Sequence, residues 1–228
     1  MSGITVTTRR FSSNTKDTPL SPSAIPDLEL LPAPLASDAL PVGLLVSKSS
    51  KHKPSALQDR DYDDVGTRWY KDVILIDASS GRFLSSLGGV WLVKKPEEGH
   101  EVGTIEAPSQ LVRLLKDDDA ALKKVVADEE AKKWIKEHGG EEVGFVVAKR
   151  EVVNASYKRA RLEDVGNGNW EVVREVGGES KDGKRRPSGL EVETGSKKDV
   201  VGVLVKKVVV DGDKITLGDE LDSTAFWK

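Results

Sequence analysis

The chain alternates between two hydrophobic periods. The clearest two-residue period is "GLEVETG", which places Leu190, Val192 and Thr194 on one side and Glu191 and Glu193 on the other. That is the signature of a half-buried strand. "PVGLLVSK" predicts a first strand over Val42–Lys48, "TRWYKDVILID" a second, "VWLVKK" a third ended by Pro96, and "EVGTIEA" a fourth reaching Pro108. Later, "EEVGFVVAKREVVNASYKRARL" is long and rich in β-branched residues, and "NWEVVREV" follows a "GNGN" turn. "DVVGVLVKKVVVDGDKITLGD" predicts two strands around Asp211-Gly212, a strong short-turn signal.

The middle of the chain has a helical period. Ser109 is placed to cap a helix carrying Leu111, Leu114 and Leu115, spaced i, i+3, i+4. "DAALKKVVADEEAKKWIKEHGG" predicts a second helix, with Leu122, Val125, Val126, Trp134 and Ile135 as its buried stripe and Gly139-Gly140 as its end. Asp117–Asp119 supply favourable charge at its start, and its lysines form a solvated face. Six of the ten prolines lie at or before Pro41, so residues 1–40 are expected to be a flexible proline-rich segment with at most a helical turn near Asp27–Leu31. The fold class is α+β, with one domain over 41–228: strands, a central helical insert, then more strands.

Composition narrows the function classes. The 228 residues hold 35 Lys+Arg against 38 Asp+Glu, a formal charge of -3, so attraction to phosphate must come from local patches. With no cysteine there are no disulfides, thiol chemistry or cysteine metal sites. No apolar run is long enough for a membrane-spanning helix, no secretory signal is evident, and a cytoplasmic protein is expected. His52, His100 and His138 are scattered without metal-ligand spacing, and no Walker loop, dinucleotide fingerprint or nucleophile elbow occurs. No cofactor, metal or catalytic residue is assigned. The basic clusters are Arg9 and Arg10, then Lys48, Lys51 and Lys53, then Lys184, Arg185 and Arg186. Aromatics are not interleaved with them as nucleic-acid stacking requires, whereas each cation contributes about 1 kcal/mol near an anionic membrane.

The order of these segments resembles the gasdermin pore-forming domain. "LPVGLLVSK", a basic loop and "RWYKDVILID" resemble its first strand pair. The segment from "SQLVRLL" to "SYKRAR" resembles its helix and following strands, and "DVVGVLVKKVVVDGDKITL" the strand pair near its end. The similarity spans Leu40 to Leu217, and the size points to the short fungal members that regulate cell death in non-self recognition. The resemblance implies a twisted, mostly antiparallel sheet and no enzymatic activity. It implies oligomerisation on anionic lipid, as a homo-oligomer or with a divergent allelic variant, at the plasma membrane or another anionic membrane. β-Hairpins would be inserted from about 72–107 and 155–199, with Trp170, Val172, Leu190 and Val192 membrane-inserted and the basic clusters lipid-binding. The chain ends at "STAFWK", where longer members continue into an inhibitory domain, so release by cleavage is not the expected trigger.

Two other readings stand beside this one. A small β-barrel that carries a ligand would give the same alternation and Gly-rich turns. An enzyme whose polar residues converge only in three dimensions is the other. The charged stretch 177–199 discriminates: in a pore former, "ESKDGKRRPSG" is a hairpin tip that crosses the bilayer, and "LEVETG" begins the returning strand.

Overall fold

The computed structural model describes residues 6–8, 25–174, 190, 192, 194–212 and 214–227. Among them, thirteen strands join in one sheet, and every pairing is antiparallel. The strands are β1 (Val6–Thr8), β2 (Glu29–Ala36), β3 (Leu45–Val46), β4 (Lys51–His52), β5 (Tyr62–Asp77), β6 (Phe83–Ser86) and β7 (Leu92–Lys94). They continue as β8 (His100–Leu115), β9 (Gly144–Val153), β10 (Ser156–Gly166), β11 (Asn169–Arg174), β12 (Lys198–Asp211) and β13 (Lys214–Leu221). Helices α1 (Asp118–Val126) and α2 (Glu129–Glu137) form the insert between β8 and β9.

Four expectations change. In "GLEVETG", the described Leu190, Val192 and Thr194 lie outside the strands. Residues 109–115 are the second half of β8, not a helix: Leu111, Leu114 and Leu115 pair with β5 on one edge, and Leu111 and Leu114 with β9 on the other. Tertiary pairing overrides the local spacing. The long second helix is two, broken at Ala127-Asp128, where the Asp128 side chain accepts from the Glu130 N–H to cap α2. The region near Asp27–Leu31 contains no helical turn. Glu29–Ala36 is a strand on an edge of β12, and Leu28, Leu30, Leu31 and Leu40 are buried. Pro32 and Pro34 fall within the stretch where that ladder shifts register, a place where a missing N–H is tolerated.

The body of the sheet is β5–β8–β9–β12, with β2 and β13 sharing the outer edge of β12. The helices cover one face: Leu122, Val125 and Ile135 pack with Leu45, Phe145, Val147 and Val208. Asp117 caps α1 through the Ala120 N–H at 2.8 Å, the role expected of the acidic run. On the opposite face, Leu31, Leu40 and Val146 pack with Phe226 and Trp227.

Body and distal strands meet at a transverse line. Trp69 of β5 has φ 66°, a left-handed backbone that a bulky residue rarely adopts. The β5–β8 register places Pro108 opposite it, between the pairs Arg68↔Ser109 and Tyr70↔Ala107. On the other side of β8, β9 and β10 follow one another in a single register, and Asn154 interrupts them level with Pro108, with φ 49°. The Asn154 N–H donates to the Lys197 carbonyl at 2.8 Å, just before β12 begins. Irregular backbone thus lines up across adjacent strands.

Candidate functional site

Beyond this crease lies a distal array in the order β6–β5–β8–β10–β11–β7. Its two edge strands, β6 and β7, are joined by the short link Leu87–Trp91. The Leu87 N–H donates to the Val73 carbonyl at 2.7 Å on the β5 edge, and the Val172 N–H donates to the Trp91 carbonyl at 2.8 Å on the β11 edge. The segment Phe83–Lys94 is therefore a strap that covers both edges of the four strands between, so the array curls on itself. Uncovered edges of this kind would pair with other chains.

The strap is fastened by a buried carboxylate on the Ile74–Ile76 face of β5. Asp72 is buried and lies on β5 opposite Ile105. Its Oδ1 accepts from Ser86 Oγ at 2.9 Å and from the Gly89 N–H at 3.3 Å, while Oδ2 accepts from Tyr70 Oη at 3.0 Å. Burial and the neighbouring Asp72 hold the Tyr70 phenol far above its ordinary pKa, so it remains a donor. The Arg150 guanidinium lies over the Tyr70 ring, 5.5 Å from its centroid.

The array has two chemically different faces. The inner face has an apolar centre, where buried Val73, Val102 and Val172 pack with Leu75, Leu87, Trp91, Val93, Ala160 and Leu162; on the same face the opposed pair Thr104 and Lys158 lies toward the crease and Asp164 toward the far end. The other face of β10 and β11 carries Arg159, Arg161, Glu163 and Glu171, and Arg159 pairs with Glu101 of β8. On β5 both faces are apolar, because Ile74 and Ile76 pack with Tyr157, Ile105 and Phe83. The β10–β11 turn uses Asn167 and Gly168 at φ 57° and 75°, the double left-handed geometry that suits a tight hairpin.

Both regions expected to insert meet in this array. The strands of 72–107 and those of 155–199 are neighbours through β8–β10 and β7–β11. Val172 lines the inner face, and Trp170 lies half-buried opposite Val93, with Lys95 Nζ 5.6 Å from its ring centroid. Leu190 and Val192 are half-buried against the cluster of Ile74, Ile105 and Tyr157, and the Leu190 N–H donates to the Tyr157 carbonyl at 3.2 Å. Leu190 and Ile76 both lie over Gly103, whose missing side chain leaves room for them. Tyr157 Oη donates to buried Asp199 at 2.8 Å, and burial together with that bond raises its pKa strongly.

The lipid-contact candidates are dispersed. Lys48, Lys51 and Lys53 are exposed on the β3–β4 hairpin, which pairs with Gly144 and Phe145 at the end of β9 remote from Asn154. That hairpin is anchored by Trp134 Nε1, which donates to Ser50 Oγ at 3.2 Å, and by Ser49 Oγ, which donates to Glu141 at 3.0 Å. Arg9, Arg10, Lys184, Arg185 and Arg186 lie outside the described residues, as does the charged hairpin tip. Sequence reasoning missed the strap and its Asp72 fastening, which become visible only from which edges pair.

Fold and site define a mixed α+β protein dominated by one antiparallel sheet, with two helices and a two-faced, strap-closed distal array. No family model matches the sequence, and no curated protein matches it. Among solved structures, that of a bacterial gasdermin from Bradyrhizobium tropiciagri is similar at a TM-score of 0.38 and 9% sequence identity, over 85% of this chain and 87% of that one. No helix among the described residues is long and apolar enough to cross a membrane, which says nothing about strands.

Proposed function

We propose that this protein is a membrane pore former that kills cells by lysis. It assembles on anionic lipid, as copies of itself or with an allelic variant, and contributes β5, β8, β10 and β11 to an oligomeric β-barrel. The observation that carries the reading is the distal array. Two hairpins predicted to insert lie side by side, with an apolar cluster at the centre of the inner face and charged residues on the outer face of β10 and β11. Barrel strands need this alternation, one face meeting lipid and the other water. Beyond the crease, Tyr70–Asp77 and His100–Ala107 approach the roughly 9–11 residues of a tilted spanning strand, and β10 has 11. Opening the strap would expose the apolar cluster and both edges together, coupling insertion to assembly. The exposed lysines of the β3–β4 hairpin are candidates for the initial encounter with anionic headgroups, before the array inserts and the body is left in water. Chemistry by dispersed catalytic residues is not part of this reading.

A small-ligand carrier would keep the interior of the curled array open, whereas Val73, Val102, Val172 and their neighbours fill it. The test is dye release from liposomes containing cardiolipin or phosphoinositide, alone and with variant chains, against zwitterionic controls. Leakage from the anionic liposomes supports the proposal. Absence of leakage under every combination overturns it.

A further inference from the structure

The crease has a feature that pore formation alone does not require. β5 is paired with β8 on both sides of Trp69, and its other edge meets different partners along its length. β1 pairs with Val65–Thr67, and β6 with Ile74–Ile76. Short of Ile74, the Leu87 N–H bonds the Val73 carbonyl and the Gly89 N–H reaches Asp72. Trp69 lies between these partners and is 68% exposed, the highest value among the exposed large hydrophobic residues described. It is flanked by exposed Arg68 and Lys71, the latter with its Nζ 4.0 Å from Glu106 of β8.

An exposed Trp in a left-handed backbone is disfavoured twice. The conformation costs of the order of 1–3 kcal/mol, and the indole surface is left in water. Glycine would remove the strain and a polar side chain the exposure. Strain of this kind clusters where a residue is held for use. The chemistry of the trio is that of a bilayer interface. Indole rings settle at headgroup level, with an apolar body and one N–H donor, while arginine and lysine reach lipid phosphates from the same depth. The position agrees, because Trp69, Pro108 and Asn154 mark the line where body strands end and the two-faced strands begin.

We propose that the crease is the waterline of the membrane-bound protein, with Trp69, flanked by Arg68 and Lys71, seated among anionic headgroups. This rests on the pore-forming reading and adds its depth and its anchor. The distal array lies on the bilayer side of the line. The body remains in water, with the Lys48–Lys53 hairpin about 30 Å further along β9 at the usual rise per residue.

The experiment uses the full chain with phosphatidylserine-containing and purely phosphatidylcholine vesicles. Native protein, Trp69→Ala and Trp69→Phe are compared by co-sedimentation and dye release. The emission of Trp69, taken as native minus Trp69→Phe, is read with lipids brominated near the headgroup or deep in the chains. Because the side chain is exposed, all three proteins should show the same circular dichroism. Trp69→Ala should weaken binding to the anionic vesicles about tenfold, Trp69→Phe less. Trp69 emission should shift to the blue and be quenched most by the shallow bromines. Native protein that leaks vesicles while Trp69 emission stays unshifted, or is quenched most by the deep bromines, overturns the waterline and leaves the pore-forming reading standing. Equal binding by Trp69→Ala overturns the anchor in the same way. Native protein that neither binds nor leaks vesicles overturns both.

Discussion

Replacing Asp72 with alanine should release the strap while the body stays folded. The carboxyl group makes two good hydrogen bonds, to Tyr70 Oη and Ser86 Oγ, and a longer one to the Gly89 N–H. Each good bond contributes about 1 kcal/mol net, and stranding the buried Tyr70 hydroxyl costs about 1 kcal/mol more, so the total is about 3 kcal/mol. Much of that should appear as easier local opening, because the Leu87–Trp91 link holds the strap by few other backbone bonds. Native-state hydrogen exchange checks this at the amides of Leu87 and Val172, which bond the strap on its two edges. Their exchange should rise on the order of 100-fold in Asp72→Ala. The amide of Val146, bonded to the Leu44 carbonyl at 2.9 Å in the body, should change much less. Asp72→Asn keeps the shape and one acceptor, so its effect should be about 1 kcal/mol. Unchanged exchange at Leu87 and Val172 in Asp72→Ala would refute the fastening role. A uniform rise that includes Val146 would show that Asp72 supports the whole fold and not the strap.

Three further outcomes test the packing and electrostatics. A Cβ at Gly103 would stand 2.4 Å from Ile76 Cδ1, 3.0 Å from the Lys158 carbonyl and 3.4 Å from Leu190 Cδ1, so Gly103→Ala should destabilise by about 1–3 kcal/mol in urea unfolding. Leu190→Asp should lower the urea midpoint as well, because the side chain is packed against the Ile74–Tyr157 cluster. Burial alone would raise the pKa of Glu151, but Lys149 Nζ at 2.6 Å and the Ser37 hydroxyl more than offset it, and the value falls below the ordinary 4.5. A depressed carboxyl stabilises the fold above the unfolded value and loses that contribution as pH falls through the folded one. Stability should therefore decline as pH drops below about 4.5, and a smaller decline in Glu151→Gln, measured by denaturation at several pH values, checks the assignment.

The sequence carried the strands whose turn chemistry is local. Asn167-Gly168 and Asp211-Gly212 announce two hairpins, and both form. It carried the helical stripe of Leu122, Val125 and Ile135, because an amphipathic period does not depend on distant partners. It misread 109–115, where leucines at helical spacing are claimed by strands on both edges, and 29–36, where prolines conceal an edge strand. Both outcomes are decided by long-range pairing. The crease is less legible still: Trp69, Pro108 and Asn154 are unremarkable in one dimension and become a line only once two registers bring them level. Val172 is a candidate from the family resemblance alone, and its neighbours on the inner face come from other strands.

The central claim is that the array must unlock to make a pore, and the cysteine-free chain permits a direct test. Leu92 and Glu171 are exposed and directly opposite in the β7–β11 ladder, close enough for a cross-strand disulfide. The double variant Leu92→Cys, Glu171→Cys should release dye from anionic liposomes when reduced and retain it when oxidised, with reductant restoring leakage. Equal leakage from the oxidised and reduced protein would contradict the account.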